Sequence, residues 1–109
     1  MNLRRWPVVG LIAAAVSVGI ALADTGTPDP VNGARLANTC LGCHGVEGIR
    51  NAYPFYRVPM LGGQNAEYIV SSLQAYQQGL RQHPTMNAHA GHLSEQQILD
   101  IAAFFSQPQ

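Results

Sequence analysis

Two cysteines separated by two residues, with a histidine directly after the second, form the segment Cys40-Leu41-Gly42-Cys43-His44, and the chain has no other cysteine. Thiols at this spacing can each bond one of the two vinyl groups on a haem edge, while the adjacent imidazole lies beneath the ring and ligates the iron. The pattern C-x-x-C-H is the attachment motif of c-type haem. It predicts one haem held covalently by Cys40 and Cys43, with His44 on the iron, and a chain that folds around it.

Three other interpretations of the two cysteines have less support. A structural zinc site needs about four nitrogen or sulfur ligands, and no second cysteine pair or finger-like histidine pair follows. A thioredoxin-like redox pair belongs in a βαβ context, whereas this chain has almost no strand-like alternation. A purely structural disulfide would close a very small loop and add little stability.

The N-terminus has the order of a secretory signal peptide. Arg4 and Arg5 precede an apolar run that ends at Ala21-Leu22-Ala23, and this order is typical of a peptide that is removed on export. We therefore predict a signal peptide over residues 1–23 and a periplasmic protein. The alternative is an uncleaved membrane anchor, because the uncharged run from residue 6 to residue 23 is near the lower length limit of a spanning helix.

The remaining chain is predicted to be a linker over residues 24–29 and one domain over residues 30–109. A domain this small commonly needs a cofactor or metal to supplement its core. Without Arg4 and Arg5, the formal net charge of zero becomes about −2, and the chain contains no lysine. This balance argues against nucleic acid as a partner.

Helix signals predict the first two elements of the domain. Asp29 followed by Pro30 is a typical N-cap and first-turn pair, which predicts a helix over residues 30–39 that runs directly into the C-x-x-C-H motif. Residues 45–59 have no helical period and predict an irregular loop. A second helix is predicted to begin after Asn65. Its apolar face comprises Ile69, Leu73, Tyr76 and Leu80.

Gly79 is placed to end this second helix, and residues 81–92 are predicted to form another loop. Ser94-Glu95-Gln96-Gln97 is a capping box that predicts the start of the last helix, and Leu93 with Ile98 predicts a hydrophobic staple around it. The pattern predicts an all-α domain of three main helices joined by long loops that wrap a ligand. The apolar face of the last helix comprises Ile98, Ile101, Ala102 and Phe105.

Across residues 30–106 the chain resembles the class I cytochromes c, in particular the short bacterial periplasmic cytochromes similar to one half of the two-haem cytochromes. The resemblance implies the class I cytochrome c fold around one haem c. The motifs that carry it are Cys40-x-x-Cys43-His44-Gly45 with Gly48, Pro59-x-Leu61-x-Gly63-Gln64, Tyr76 with Gly79, Met86, and Leu93-Ser94 leading into Ile101-Ala102-Ala103-Phe104-Phe105.

The resemblance also implies roles for individual residues. His44 would be the proximal iron ligand, and the backbone carbonyl of Pro59 would accept its other ring N–H. Met86 would be the distal thioether ligand. Gly33 would allow the first helix to approach the last one closely, at Phe104 or Phe105.

Other side chains compete for contact with the haem. Met60 is the alternative thioether, but it lies between Pro59 and Leu61 and is predicted to pack or to face solvent. His83, His89 and His92 are predicted to be exposed loop histidines, although one of them replacing Met86 would give bis-histidine iron. The haem propionates have several possible partners. These are Arg50, Arg57 and Arg81, with Tyr53, Tyr56 and Tyr76 as alternatives.

With His44 and Met86 on the iron, both axial positions are filled, so the resemblance implies a one-electron carrier and not an enzyme. Its expected partners are a dehydrogenase or quinol oxidase as donor and a terminal acceptor. The alternative is a haem relay subunit of a larger dehydrogenase, for which the aromatic loop at residues 53–56 is a candidate contact. A catalytic or gas-sensing haem would require that Met86 does not bind, and no distal acid–base pair is evident.

Overall fold

The computed structural model describes residues 26–52 and 55–108. The predicted signal peptide, the first two residues of the linker (24 and 25), and Tyr53 and Pro54 lie outside the described residues. The prediction of an all-α domain is confirmed, since the described residues form helices with only one isolated antiparallel bridge, between Arg50 and Arg57. The helices are α1 (Pro30–Leu36), α2 (Asn38–His44), α3 (Ala66–Gln77), α4 (Pro84–Ala90) and α5 (Glu95–Phe105).

The first predicted helix is two helices in the structure. Asp29 caps α1 as predicted, because its carboxylate accepts the Val31 N–H at 2.8 Å and the Asn32 N–H at 3.2 Å. The chain then tightens at Ala37, whose carbonyl accepts the Cys40 N–H at 2.8 Å, three residues further on. The prediction of one helix over residues 30–39 is therefore wrong, and the C-x-x-C-H motif forms its own helix, α2.

Helix α3 begins and ends where the sequence predicts. The Asn65 side chain accepts the Tyr68 N–H at 2.9 Å, and Gly79 adopts a φ of 71°, which a residue with a side chain rarely adopts. The chain turns at this glycine, so Leu80 leaves the apolar face and is 76% exposed. The prediction that Leu80 continues this face is wrong.

Helix α4 lies inside the predicted loop over residues 81–92. Pro84 is at its first turn, and the His83 side chain caps it by accepting the Met86 N–H at Nδ1, at 3.4 Å. Ala90 is the only fully buried residue of this helix, so its apolar period is too weak to reveal it. Pro84 matches Pro30 of α1 at the first turn, but His83 is not among the residues usually preferred at an N-cap, so the local signal for α4 is incomplete.

Helix α5 supplies most of the core. The capping box is confirmed, with the Ser94 hydroxyl accepting the Gln97 N–H at 3.2 Å and the Gln97 side chain accepting the Ser94 N–H at 2.8 Å. All four residues of its predicted apolar face are buried. Three of them, with one residue of α3 and one at the α1–α2 junction, form a small core cluster. The core cluster comprises Ala37, Ile69, Ile101, Ala102 and Phe105.

Helices α1 and α5 cross at Gly33. A Cβ atom added to Gly33 would overlap the backbone carbonyl of Asp100 and lie 3.0 Å from the Cβ of Phe104. The expected contact between Gly33 and the last helix is therefore confirmed, and it extends one turn earlier, to Asp100. Only glycine allows the two backbones to approach this closely.

Asp100 is a buried carboxylate that joins these two helices. Only 2% of its surface is exposed. It accepts the Asp29 N–H at 2.8 Å, the Asn32 Nδ2–H at 2.7 Å and the Gln96 Nε2–H at 2.8 Å. The hydrogen bond from the Asp29 backbone, followed by the one from Asn32, lowers the pKa of Asp100 below its ordinary value and outweighs the opposing effect of burial.

Replacing Asp100 with asparagine should lower the free energy of unfolding by about 1–3 kcal/mol at neutral pH, because donors that met a charged acceptor lose it. A carboxylate whose folded pKa is lowered stabilises the protein above its unfolded pKa, about 3.9. That stability is lost as the pH falls through the folded value. Urea unfolding from pH 7 to pH 3 should show the difference shrinking only below about pH 4. Glu47→Gln, at an exposed loop residue, is the control; a pH-independent difference would contradict the role of the charge.

Candidate haem site

A cavity of about 710 Å³ is lined by the C-x-x-C-H helix α2 together with residues of α3 and α4. Its volume falls in the range of roughly 300–1,000 Å³ typical of ligand sites. Core residues of α3 and α5 also line it, as do residues 56–59 and Leu61 of the long loop. The apolar lining includes Leu36, Val58, Leu61, Ile69, Leu73, Leu93, Ile101 and Phe105.

Both thiols of the motif line this cavity. Cys40 is half-buried and Cys43 is exposed, and the two are free cysteines. Burial raises the pKa of the Cys40 thiol above its ordinary value. Because α2 is helical, the two cysteines are three residues apart on one face of the same helix, and this face is the cavity wall.

The His44 ring lines the cavity next to the thiols and is fixed by the backbone of Pro59. His44 Nδ1 lies 2.7 Å from the Pro59 carbonyl oxygen. A carbonyl only accepts hydrogen bonds, so the ring proton resides on Nδ1 and the lone pair resides on Nε2. A second bond, from the Leu61 N–H to the His44 carbonyl at 3.4 Å, holds the same two segments together. The ring therefore offers Nε2 as a metal ligand with its tautomer set.

The two methionines differ in where they lie. Met86 is on α4, half-buried, and lines the cavity. Met60 is 48% exposed and does not line it. Of these two methionines, only Met86 lines the cavity that α2 also lines.

The three histidines of the segment after α3 also differ in whether they line the cavity. His83 and His89 line the cavity, whereas His92 is exposed and does not. His83 is half-buried, contrary to the expectation that all three are exposed. Its Nδ1 accepts a backbone hydrogen bond from Met86 and its ring lies 6.3 Å from that of Tyr56, so it is part of the local structure around α4.

Polar side chains gather at one part of the cavity. Arg81 lies with its guanidinium 4.6 Å from the centre of the Tyr76 ring and donates to the Ser72 hydroxyl at 3.1 Å. Arg57 also lines the cavity, but Arg50 does not. Among the tyrosines, Tyr56 and Tyr76 line it, and Tyr53 lies outside the described residues. The structure thus reduces the arginine candidates for carboxylate contact from three to two.

The donor set fits a covalently attached haem. Two thiols and an imidazole with a free Nε2 share one wall, a thioether is on another, the lining between them is apolar, and cationic groups stand nearby. This arrangement defines a c-type haem protein built on an all-α fold. Residues 30–108 match the protein-family model described as cytochrome c. The chain belongs to the cytochrome c family.

Curated relatives agree with this assignment. The chain is 38% identical over 84 residues to cytochrome c-554(548) of Halomonas halodenitrificans, which covers 74% of this chain and 98% of that protein. It is 40% identical over 83 residues to cytochrome c4 of Thiocapsa roseopersicina, covering 74% of this chain and 41% of that protein. It is 32% identical over 70 residues to the cytochrome subunit of sulfide dehydrogenase of Chlorobaculum tepidum, covering 64% and 60%.

The family confirms several sequence-based predictions. The protein is a class I cytochrome c, similar to one half of the two-haem cytochrome c4, and it carries one covalent haem c for electron transport. The chain spans nearly the whole Halomonas cytochrome but less than half of cytochrome c4.

Proposed function

We propose that this protein is a periplasmic one-electron carrier whose haem iron is ligated by His44 and Met86, and that it has no catalytic turnover of its own. The observation that carries the proposal is that α2 and α4 both line the same 710 Å³ cavity. Helix α2 contributes the two thiols and an imidazole whose Nδ1 is 2.7 Å from the Pro59 carbonyl. Helix α4 contributes Met86.

The residues of the chain define what such a carrier does. When bound, the haem supplies a one-electron iron couple. Met86 and His44 together would fill both axial positions, which leaves no coordination site for a substrate. A thioether ligand and an apolar surround both favour the reduced state and raise the reduction potential. The apolar lining contributed by Leu73 and Ile101 excludes water, so little solvent reorganises when the charge changes.

The absorption spectrum of the oxidised protein tests this ligation directly. Methionine bound to ferric haem gives a weak far-red band, which bis-histidine or open-site iron lacks. We expect the purified holoprotein to show this band at neutral pH and to lose it on addition of a stronger ligand. A spectrum without the band would contradict ligation by Met86.

Export is a second element of the proposal. Within the described residues, none of the helices has the length and apolar character needed to cross a membrane. We propose cleavage after Ala23, as the Arg-Arg, apolar run and Ala-Leu-Ala order predicts, with residues 24–29 as a linker before the domain. Intact mass and N-terminal sequencing of periplasmic protein should show a chain that begins at Asp24. Holoprotein found only in membranes, with residues 1–23 retained, would support the anchor.

A haem relay subunit of a larger dehydrogenase is the second candidate function. Two observations favour it: a relative is named the cytochrome subunit of sulfide dehydrogenase, and Phe55 and Tyr56 are 77% and 60% exposed beside the cavity. Exposed aromatic side chains are common at protein interfaces. A tagged holoprotein purified from its native periplasm distinguishes the two candidates. A stoichiometric flavoprotein or other dehydrogenase partner would favour the relay, and a monomeric cytochrome would favour the carrier.

A further inference from the structure

We propose that the side-chain amides of Asn87 and Gln77 form a clamp between α3 and α4 that positions Met86. We call this pair the amide clamp. The inference rests on the proposed ligation by Met86 and deepens it, because it identifies what holds the ligand in place. Neither amide side chain lines the cavity, so both act through the backbone that carries the thioether.

Asn87 ties the start of α4 to the end of α3. Its Oδ1 accepts the His83 N–H at 2.8 Å. Its Nδ2 donates to the Tyr76 carbonyl at 2.8 Å and to the Arg81 carbonyl at 2.9 Å. Carbonyls in the last turn of a helix lack i+4 partners within the helix; the Tyr76 carbonyl accepts the Gly79 N–H at 3.3 Å, and Asn87 adds a shorter, side-chain donor to it. Asn87 directly follows Met86 in the chain.

Gln77 holds the other end of α4 from the opposite direction. It is the last residue of α3, and its Nε2 donates to the Ala90 carbonyl at 2.9 Å and to the Leu93 carbonyl at 2.7 Å. Ala90 is the last residue of α4 and is fully buried. The two amides therefore make five hydrogen bonds that fix both ends of α4 to α3 and to the adjoining turns.

Hydrogen bonds contribute an unusually large part of what holds α4 in position, because the helix has few buried contacts. Helix α4 has seven residues, of which only Ala90 is buried. Isolated helices shorter than about 12 residues are marginal in water, and a single buried alanine contributes little apolar area. A loss of clamp bonds should therefore loosen α4 before it unfolds the rest of the domain, and the Met86 thioether should leave the iron more readily.

Imidazole is a suitable probe, because it binds ferric iron only where the methionine has dissociated. In the ferric holoprotein, Asn87→Ala and Gln77→Ala should each lower the imidazole concentration that half-bleaches the far-red band by about tenfold, since each removes at least two hydrogen bonds. Gln78→Ala is the matched control, a neighbouring exposed glutamine, and should match wild type. The reduction potential should fall in the two clamp variants and stay constant in the control.

Isosteric variants separate the effect of losing the hydrogen bonds from the effect of losing side-chain volume. Asn87→Asp keeps the acceptor for the His83 N–H but places a carboxylate oxygen against the Tyr76 and Arg81 carbonyl oxygens. Gln77→Glu places a carboxylate oxygen against the Ala90 and Leu93 carbonyl oxygens. Both should be at least as sensitive to imidazole as the alanine variants, and they preserve a test if an alanine variant fails to fold. Wild-type imidazole sensitivity in Asn87→Asp and Gln77→Glu would overturn the clamp while leaving ligation by Met86 intact. If Met86→Ala retained the far-red band, the ligation and the clamp would both be overturned.

Discussion

Replacing Cys40 or Cys43 with alanine is expected to reduce holoprotein sharply, and replacing both is expected to abolish covalent haem. Each thiol would form one thioether bond, and the cavity they line, about 710 Å³, adjoins a core cluster of only five buried residues. The cofactor therefore supplies apolar contacts that the chain lacks, and the double variant should lose helical structure as well as haem. Haem staining after denaturing electrophoresis, together with far-UV circular dichroism, measures both effects.

The control for these variants is Asn38→Ala, at an exposed position on the same helix, which should retain its haem stain. In wild-type protein the stain should survive denaturation because the attachment is covalent. Haem that extracts into acidified organic solvent from wild-type protein would contradict attachment through Cys40 and Cys43.

The second large effect is expected at the distal ligand. Met86→Ala should eliminate the far-red band, lower the reduction potential and open the ferrous iron to carbon monoxide, because it removes the only thioether that lines the cavity among the described residues. Met60→Ala should leave all three properties close to wild type, since Met60 is 48% exposed and lies outside the cavity lining. Spectroscopy and a redox titration of the two variants in parallel give the comparison.

The opposite result is equally clear. If Met60→Ala lost the far-red band and Met86→Ala kept it, the distal ligand would be Met60, and the assignment to Met86 would be wrong. This result would also mean that α4 does not face the haem, and the clamp formed by Asn87 and Gln77 would lose its function.

Local signals predicted those parts of the fold that short-range hydrogen bonds determine. Asp29, Asn65 and Ser94 each cap the helix predicted from the sequence, because a side-chain acceptor two or three residues before a free N–H needs no tertiary contact. The apolar face of α5 was also predictable, since a strong helical period records which side is buried.

Other features depend on tertiary contacts that no local pattern records. Helix α4 is tied to α3 by the side-chain amides of Gln77, in α3, and Asn87, in α4 itself, and a turn at Ala37 separates α1 from α2. Within the site, the motif identified Cys40, Cys43 and His44 as candidates, and the family resemblance added Pro59 and Met86. Their haem-binding roles stay predictions, but the structure brings all five to one cavity.

The crossing of α1 and α5 has a consequence for folding. The hydrogen bonds from Asp29 and Asn32 to Asp100 join residues 71 and 68 positions apart, so forming them closes almost the whole domain into a ring. Closing so long a loop has an entropic cost that grows with its length, and the seven residues of α1 are too few to form a stable helix alone. Helices α1 and α5, at the two ends of the domain, are therefore expected to dock together or not at all. Deleting α1 should release the C-terminal helix and, with it, one side of the haem pocket.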